Sequence, residues 1–186
     1  MKTRKIGQTG RLRSADEWIY GLNPVLEALK AGRGIKTLYL AAGRHEKVQG
    51  LRQEADRLGI SVKTLDAGFF DEKFGKGHQG VAADVRPRRY FSLDELLGFP
   101  REKGEIPLFF VLDCIEDPRN LGAILRVADA AGVHGVVLQA YRAAGLSAEV
   151  SKASAGAVEY VPVTVVANIK NALREMKERE ITIVGA

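Results

Sequence analysis

The chain has 186 residues, of which 46% are hydrophobic and 27% are charged, and this composition is typical of a globular protein. The single cysteine, Cys114, excludes a disulfide scaffold, and no apolar run approaches the roughly 20 residues that a membrane-spanning helix needs. The basic residues near the amino terminus do not precede the apolar core of a signal peptide. Together these features predict a cytoplasmic protein.

The net charge of +5 is concentrated in one segment of the sequence. Residues 1–13 carry five basic and no acidic side chains, whereas the rest of the chain is close to neutral. The segment is polar and is interrupted by Gly7 and Gly10, so residues 1–15 are predicted to form a basic flexible arm. Such an arm either contacts the phosphates of a nucleic acid or serves as a solubilising tail, and charge alone leaves both open.

Residues 16–86 are predicted to form a small α/β sandwich. Asn23-Pro24 is a typical helix start, with asparagine as the cap and proline at the first helical position, and Gly32 ends this helix. The later elements are predicted as a strand at 37–41, a helix at 48–58, a strand at 61–65, an irregular stretch and a strand at 81–85. The alternation of strands and helices favours a three-layer arrangement.

Residues 87–106 are predicted to be a linker between this unit and a second one. The segment contains two prolines and a capping box, Ser92-Leu93-Asp94-Glu95, which predicts one short helix. Pro107 marks the predicted boundary of the second unit.

Residues 107–186 show a cleaner alternation of strands and helices. Strands are predicted at 108–113, 135–139, 161–166 and 181–185, and helices at 121–131, 147–159 and 169–178. Four strands joined by helices predict a Rossmann-like parallel sheet with right-handed crossovers. The continuous apolar run of the first strand is typical of a strand that is buried on both faces.

The common nucleotide-binding and metal-binding patterns are absent from the sequence. There is no P-loop, and no G-x-G-x-x-G follows the first strand of either unit. His45, His78 and His134 are scattered and lack a cluster of other ligands at suitable spacing, so no metal site is predicted. The glycine-rich residues 75–80 either approach a phosphate backbone or form a tight turn. Cys114 is interpreted as a small buried side chain that follows a core strand.

The segment at 113–126 follows the first strand of the second unit, where parallel sheets commonly bind ligands. Pro118 fixes a turn, Asn120 is placed to cap the next helix, and Gly122 permits a phosphate to approach the positive end of that helix. Arg126 lies among apolar residues, and a guanidinium is costly to bury without an acceptor. It must therefore form an ion pair, reach solvent or bind an anionic ligand. The carboxylates considered for such a pair are Asp113, Asp117 and Asp129.

Several motifs resemble the SpoU (TrmH-like) branch of the SPOUT RNA ribose 2′-O-methyltransferases. Residues 20–29 and 78–82 resemble the entry and exit of that family's small substrate-binding domain, which is related to a ribosomal-protein RNA-binding fold. Residues 117–133 resemble its motif 1, and residues 152–157 with 159–163 resemble the helix and strand that follow motif 1. The resemblance implies an N-terminal RNA-binding domain followed by a Rossmann-like SPOUT methyltransferase domain.

The resemblance also implies an activity, the transfer of a methyl group from S-adenosylmethionine to a ribose 2′-hydroxyl of RNA. Arg126 matches the family's catalytic arginine and Asn120 its motif 1 asparagine, while Glu116 or Asp117 shapes the same loop. For this family it is proposed that the arginine, assisted by a phosphate of the substrate, acts as the base that removes the proton of the 2′-hydroxyl. Positioning that phosphate and stabilising the developing alkoxide are the alternative roles for Arg126. The layout most resembles the subgroup that modifies a guanosine of large-subunit ribosomal RNA, with transfer RNA as the alternative substrate.

SpoU enzymes have two further motifs, which form a trefoil knot, hold the methyl donor and pack a homodimer. This sequence has no counterpart of them, so Val184, Gly185 and Ala186 are the only residues expected at the edge of the donor pocket. We expect from this a chain that binds the donor poorly and does not methylate RNA, and whose dimer lacks the family's interface helix. Two other hypotheses stay open: an RNA-binding module without catalysis, and a nucleotide-binding α/β protein unrelated to RNA.

The predicted RNA-binding surface combines the N-terminal arm with basic side chains of both units. The predicted RNA-binding residues are Lys76, His78, Arg86, Arg88, Arg89 and Arg119. The alternative for each is a solvated charge without a ligand. Tyr90 and Phe91 either stack on bases or pack against the helix of the linker.

Overall fold

The structure, a computed structural model, describes residues 17–43 and 45–185, without the side chains of 45–47, and the predicted arm lies outside this range. Its first part, the N-terminal unit, consists of β1 (Glu17–Tyr20), α1 (Leu22–Lys30), β2 (Ile35–Ala41), α2 (His45–Arg57), β3 (Ser61–Leu65), α3 (Ala67–Phe74) and β4 (Val81–Val85). The strands lie in the order β1-β4-β2-β3, with β2 parallel to β3 and with β4 antiparallel to both of its neighbours.

Both faces of this sheet are covered by helices. Side chains point alternately to the two faces along each strand. Leu38 of β2 therefore packs with Val25 of α1 and Leu51 of α2 on one face. Tyr39, the next residue, packs with Phe69 of α3 on the other face. The three-layer arrangement predicted for this unit is confirmed.

Two local predictions for the N-terminal unit are wrong. Helix α1 begins at Leu22, so Asn23 lies inside its first turn and does not cap it. The backbone N–H of Leu22 instead donates to Oε1 of Gln79 (3.0 Å), so the acceptor comes from the loop before β4. The stretch predicted as irregular contains α3, which the side chain of Asp66 caps. The aromatic residues of α3 form a helix here because they pack on the sheet.

The rest of the described chain contains the C-terminal unit and the helix that precedes it. Its elements are α4 (Leu93–Lys103), β5 (Phe109–Leu112), α5 (Pro118–Ala130), β6 (Gly135–Gln139), α6 (Ala148–Ala153), a 3-10 helix (Ala157–Glu159), β7 (Val163–Val166) and α7 (Ile169–Glu178). The strands form a parallel sheet in the order β5-β6-β7, which confirms the Rossmann-like prediction. Val136 and Leu138 of β6 pack towards α5 and α6, and Val137 packs towards α4 and α7.

The C-terminal unit differs from its prediction in three places. Strand β5 lies at the edge of the sheet, so its residues are half-buried rather than buried on both faces. The helix predicted at 147–159 ends at Ala153, because Ala155 and Gly156 have φ angles of 52° and 94°, which no α-helix accommodates. In the part of the chain that the structure describes, residues 181–185 form no strand, because no neighbouring strand pairs with them.

Helix α4 begins at the predicted capping box. The Oγ of Ser92 accepts the N–H of Glu95 (3.2 Å), whose carboxylate accepts the N–H of Ser92 (2.8 Å). Phe91 makes an edge-on contact with Phe99 of α4, with ring centroids 5.3 Å apart, and therefore packs against this helix. The hydroxyl of Tyr90 accepts a backbone N–H from the loop between β6 and α6 (3.0 Å). No helix within residues 17–43 and 45–185 is long and apolar enough to cross a membrane.

Candidate active site

Arg126 lies on the exposed side of α5. The buried face of this helix consists of Leu121, Gly122, Leu125 and Ala128. Position 126 falls outside this face, so its guanidinium is not buried among apolar side chains. It has no hydrogen-bond or ion-pair partner among the residues that the structure describes, so none of the three ion pairs considered for it is present.

Arg126 opens onto a pocket of about 380 Å³ between the two units. The lining residues are Asn23 and Glu27 of α1, Arg126 and Asp129 of α5, and Ser154, Ala155, Ala157 and Tyr160 after α6. The lining is mostly polar, with one guanidinium, two carboxylates, an amide and two hydroxyls. A guanidinium binds phosphate, while carboxylates and amides accept hydrogen bonds from hydroxyl groups. The pocket therefore has the chemistry to hold a sugar-phosphate unit.

Asn120 does not share this pocket with Arg126. Helix α5 begins at Pro118 and is capped by Asp117, which accepts the N–H of Arg119 (2.8 Å), so Asn120 is not the cap predicted from the sequence. This hydrogen bond lowers the pKa of Asp117, with a further contribution from the side chain of Arg119. Asn120 and Arg126 are six positions apart, which places their side chains about 120° apart around the helix and about 9 Å apart along it.

Gly122 permits a close approach, but of a helix rather than of a phosphate. A Cβ atom built on Gly122 would lie 2.8 Å from the backbone nitrogen of Ser154 and 2.9 Å from the carbonyl carbon of Ala153. The glycine is buried at this contact between α5 and the end of α6. The predicted role of Gly122 in phosphate approach is therefore wrong, because α6 already occupies the space.

Glu159 lies at the centre of the seam between the units and is 3% exposed. It accepts hydrogen bonds from Arg33 (3.1 Å) and Arg88 (2.6 Å), whose side chains are 8% and 12% exposed. Burial lowers the pKa of Arg88, and the charge of Glu159 opposes this effect. Arg33 also pairs with Glu17 of β1 (2.8 Å). Arg88, whose RNA-binding role stays a prediction, has a paired and mostly buried guanidinium that joins the two units.

Three further contacts join the units near this pair. The hydroxyl of Tyr160 donates to the carboxylate of Glu27 (2.7 Å), and this hydrogen bond raises the pKa of Tyr160 to about 12. Gly156 lies so close to α1 that a Cβ atom on it would be 2.6 Å from the Cβ of Glu27. The Nζ of Lys152 donates to the carbonyl of Lys76 (2.9 Å). The residues at 152–160, noted in the sequence only for their resemblance, thus form much of the seam.

His78 makes structural contacts in the loop before β4. Its side chain is buried, its Nδ1 accepts the N–H of Gly80 (2.9 Å), and its Nε2 lies 2.9 Å from Asp71 Oδ1. These contacts use both ring nitrogens, so RNA can contact the imidazole only where one of them is broken, and the RNA-binding role of His78 stays a prediction. The glycine-rich residues 75–80 form the turn that carries this histidine and the helix-capping Gln79, in agreement with the tight-turn alternative.

The other predicted RNA-binding residues are exposed: Lys76, Arg86, Arg89 and Arg119. Arg86 and Arg89 line a cleft of about 280 Å³ where the two units meet. Arg89 pairs with Glu95, and Arg119 pairs with Asp117 (3.3 Å). Exposed pairs of this kind contribute about 1 kcal/mol or less, so phosphate oxygens can replace them at little cost.

The residues expected at the donor pocket are open to solvent. Val184 is 86% exposed, a Cβ atom on Gly185 would meet no atom within 4 Å, and Ala186 lies outside the described residues.

Cys114 is exposed, with its thiol donating to Asp113 (3.2 Å), so the prediction of a buried cysteine is wrong. The turn after β5 places this residue outside the core. The described residues contain no group of three or more potential metal ligands.

Sequence reasoning missed the residues that join the two units. Arg33 and Glu159 are 126 positions apart, and no local pattern marks them as partners. The nearby residue that could have drawn attention in the sequence is Gly156. In the structure its φ is 94° and it lies close to α1, as is typical of a glycine that packing requires.

Two family models match the chain, one for each unit. Residues 18–91 match the model for RNA 2′-O ribose methyltransferase substrate binding, and residues 107–186 match that of the SpoU rRNA methylase family. Among curated relatives, YacO of Bacillus subtilis (strain 168), a TrmH family protein with a tRNA/rRNA methyltransferase designation, is 42% identical over 173 residues. The match covers 91% of this chain and 68% of YacO.

Solved structures with the same fold include two methyltransferases. The AdoMet-bound rRNA methyltransferase from Sinorhizobium meliloti superposes with a TM-score of 0.68 at 28% identity, covering 87% of this chain and 58% of that one. The SpoU methyltransferase AviRb from Streptomyces viridochromogenes, in complex with AdoMet, has a TM-score of 0.71 at 20% identity, covering 91% and 62%. The chain thus spans about three fifths of the length of these two proteins. From the two family models and the identity to YacO, the chain belongs to the SpoU (TrmH-like) family.

Proposed function

We propose that this chain acts in the S-adenosylmethionine-dependent methylation of a ribose 2′-hydroxyl in RNA. The observation that carries the proposal is the exposed guanidinium of Arg126, which has no partner among the described residues and faces a polar pocket between the units. An exposed, unpaired guanidinium of this kind can bind the phosphate next to a reacting ribose through two parallel hydrogen bonds. The tRNA/rRNA methyltransferase designation of YacO and the AdoMet-bound S. meliloti enzyme support the same activity.

The proposed role of Arg126 is to bind a phosphate beside the target ribose and to stabilise the charge that develops on the attacking oxygen. A hydroxyl is a weak nucleophile until its proton leaves, so stabilising the developing alkoxide lowers the barrier. Arginine stays protonated in proteins, which favours this electrostatic role over that of a base. Asn120 lies on another side of α5 and is proposed to contact the same RNA strand near Arg119.

S-adenosylmethionine supplies the methyl group when it is bound. Val184 and Gly185 form no cradle for a molecule of this size, because the valine is exposed and the space beside the glycine is open. The steps proposed for this chain are therefore those on the RNA side of the reaction: binding, orientation and charge stabilisation.

The proposal assigns RNA binding mainly to residues 16–86 and the reaction to residues 107–186, with 87–106 as the linker. Lys76, Arg86, Arg89 and Arg119 are the exposed cations proposed to contact phosphates, together with the basic arm. Each phosphate contact that is lost reduces the slope of log K against log salt by about 0.7 for a single strand. A matched pair tests this: Arg86→Ala is expected to reduce the slope, whereas Arg174→Ala, an exposed arginine on α7, is not.

A guanosine of large-subunit ribosomal RNA is the proposed target, in a cytoplasmic reaction carried out by a homodimer. Exposed apolar residues near the edge strand β5, Ile106 and Leu108, are consistent with a contact between two chains. Light scattering at two protein concentrations measures the assembly. Transfer RNA is the second substrate to be tested, because YacO is designated for both RNA classes.

The activity is tested by incubating the chain with labelled S-adenosylmethionine and transcripts of ribosomal or transfer RNA. Ribose methylation makes the next phosphodiester resistant to alkali, so the modified nucleotide is recovered within a dinucleotide. The chain alone, in which Val184 and Gly185 form no donor site, is expected to bind RNA without transferring label. A protein in which this chain is followed by a SpoU donor-binding segment is expected to label ribosomal RNA, less with Arg126→Ala and equally with Arg174→Ala. RNA binding without methyl transfer by that longer protein contradicts the proposal and favours an RNA-binding module without catalysis.

A further inference from the structure

Glu159 joins two arginines across the seam between the units, and only the identity of the ligand inferred from this rests on the proposed function. One oxygen of Glu159, Oε1, accepts hydrogen bonds from both Arg33 and Arg88. Arg88 also donates to the carbonyl of Val158. All three side chains are at most 12% exposed, so removing the acid leaves Arg88 without a carboxylate partner among the described residues and leaves Arg33 with Glu17 alone. Such a loss strongly disfavours the docked arrangement, since a buried charge is costly when unpaired.

The same contacts determine where α1 lies. Arg33 follows α1 in the chain, and its pairing with Glu159 holds this end of the N-terminal unit against the C-terminal unit. The close approach of Gly156 to Glu27 leaves no room for a wider side chain and therefore sets the spacing between α1 and the 3-10 helix. The hydrogen bond from Tyr160 to Glu27 fixes the same stretch of α1.

The consequence of this docking is found at Arg126. Asn23, one turn before Glu27 on α1, lines the same pocket as Arg126 and Asp129 of α5. Neither unit alone supplies this set of groups. The pocket is therefore composite, and its N-terminal wall is in place only while the seam holds.

We propose that Glu159 is a positioning residue that docks the N-terminal unit so that Asn23 completes the Arg126 pocket, which receives a ribose-phosphate unit of RNA. The guanidinium of Arg126 binds the phosphate, and the amide of Asn23 and the carboxylate of Asp129 accept hydrogen bonds from ribose hydroxyls. A 2′-hydroxyl is what distinguishes RNA from DNA at such a site. The pocket thus selects RNA as well as holding it.

The docking role is tested without any need for activity. Spin labels are placed on α2 and α7 through Gln53→Cys and Lys177→Cys in a Cys114→Ser background, and their separation is measured by pulsed electron paramagnetic resonance. We expect one narrow distance distribution, which broadens with Glu159→Gln and stays narrow with the control Glu102→Gln, an exposed acid on α4. Should Glu159→Gln fail to fold, Arg88→Met leaves the Arg33 pair in place and is expected to broaden the distribution partly. A narrow distribution in a folded Glu159→Gln or Arg88→Met variant overturns the role of the seam.

The composite pocket is tested by a double-mutant cycle on RNA affinity. Asn23→Ala and Arg126→Ala are combined, and the dissociation constant for a short single-stranded RNA is measured by fluorescence anisotropy. We expect the two effects to be non-additive by at least about threefold, as for groups that share a ligand. In the Glu159→Gln background this coupling is expected to disappear, which a merely stabilising residue would not cause. Additive effects in both backgrounds overturn the proposal.

The occupant of the pocket is identified by two comparisons. The matching single-stranded DNA is expected to bind more weakly than the RNA, and Asp129→Ala is expected to reduce this preference. If Asn23→Ala weakens S-adenosylmethionine binding and leaves RNA binding unchanged, the methyl donor and not RNA occupies the pocket, and the proposal fails. If no RNA binds to any variant, the proposed function fails as well, while the spin-label distances still decide whether Glu159 docks the units.

Discussion

Replacing Gly122 by alanine tests the contact between α5 and α6 that shapes the Arg126 pocket. The added Cβ atom would lie 2.8 Å from the Ser154 nitrogen and 2.9 Å from the Ala153 carbonyl carbon, and its contact with the Ala153 methyl is closer still. Ordinary contacts between such atoms are about 3.5–4.0 Å, so the helices must separate by nearly 1 Å. Overpacking of this kind costs about 1–3 kcal/mol.

The helix propensity of alanine works in the opposite direction. Replacing glycine by alanine inside a helix stabilises it by about 1 kcal/mol. Because backbone atoms at the end of α6 cannot rotate out of the way, we expect the steric cost to exceed the gain in helix propensity, with a net loss of up to about 2 kcal/mol in the free energy of unfolding. Urea denaturation followed by circular dichroism measures this loss.

The matched control is Gly98→Ala in α4, where a Cβ atom would meet no atom within 4 Å. This substitution is expected to stabilise the protein by about 0.5–1 kcal/mol, since only the propensity effect remains. If Gly122→Ala stabilises the protein as much as Gly98→Ala does, α5 and α6 are not in close contact.

Three further predictions concern single hydrogen bonds. Gln79→Ala removes the acceptor for the Leu22 N–H and is expected to lower the free energy of unfolding by about 1 kcal/mol, whereas Gln53→Ala on the surface of α2 has little effect in the same denaturation assay. Glu27→Gln is expected to lower the pKa of Tyr160 from about 12 towards the ordinary tyrosine value, as measured by ultraviolet titration. Because the pKa of Tyr160 is raised in the folded state, its hydrogen bond stabilises the protein fully below the ordinary tyrosine pKa, and this stabilisation is lost as the pH rises through about 12. An unchanged Tyr160 titration in Glu27→Gln contradicts the contact. Asp113→Asn is expected to speed the reaction of Cys114 with a disulfide reagent, since the hydrogen bond to Asp113 raises the pKa of the thiol, and an unchanged rate argues against it.

The fold was predictable where the information is local. Strands 61–65, 81–85 and 135–139 carry runs of β-branched and apolar residues between turn signals, and each occurs as predicted. The capping box at Ser92 likewise depends on residues three positions apart. The edge position of β5 was not predictable, because an apolar strand has the same composition at the edge of a sheet as in its centre.

The candidate site shows the same division. Motif 1 identifies Arg126, but nothing in its neighbourhood indicates that Asn23, about a hundred residues earlier, lines the same pocket. The acceptor for α1 is likewise supplied by Gln79, 57 positions away, and the partner of Arg33 lies 126 positions away. The Leu22–Gln79 pairing results from packing within the N-terminal unit, and the Arg33–Glu159 pairing results from packing of one unit against the other. Hydrophobic periodicity carries no information about either.

The central claim, that Arg126 stabilises the transition state of RNA methylation, is tested most directly by Arg126→Lys. This variant keeps the positive charge and loses the planar fork that holds two phosphate oxygens together. In a protein that also carries a donor-binding segment, the account predicts a rate of ribose methylation at saturating RNA reduced about 10²- to 10³-fold, with a much smaller loss of RNA affinity. A near-normal rate of methylation at saturating RNA would contradict it.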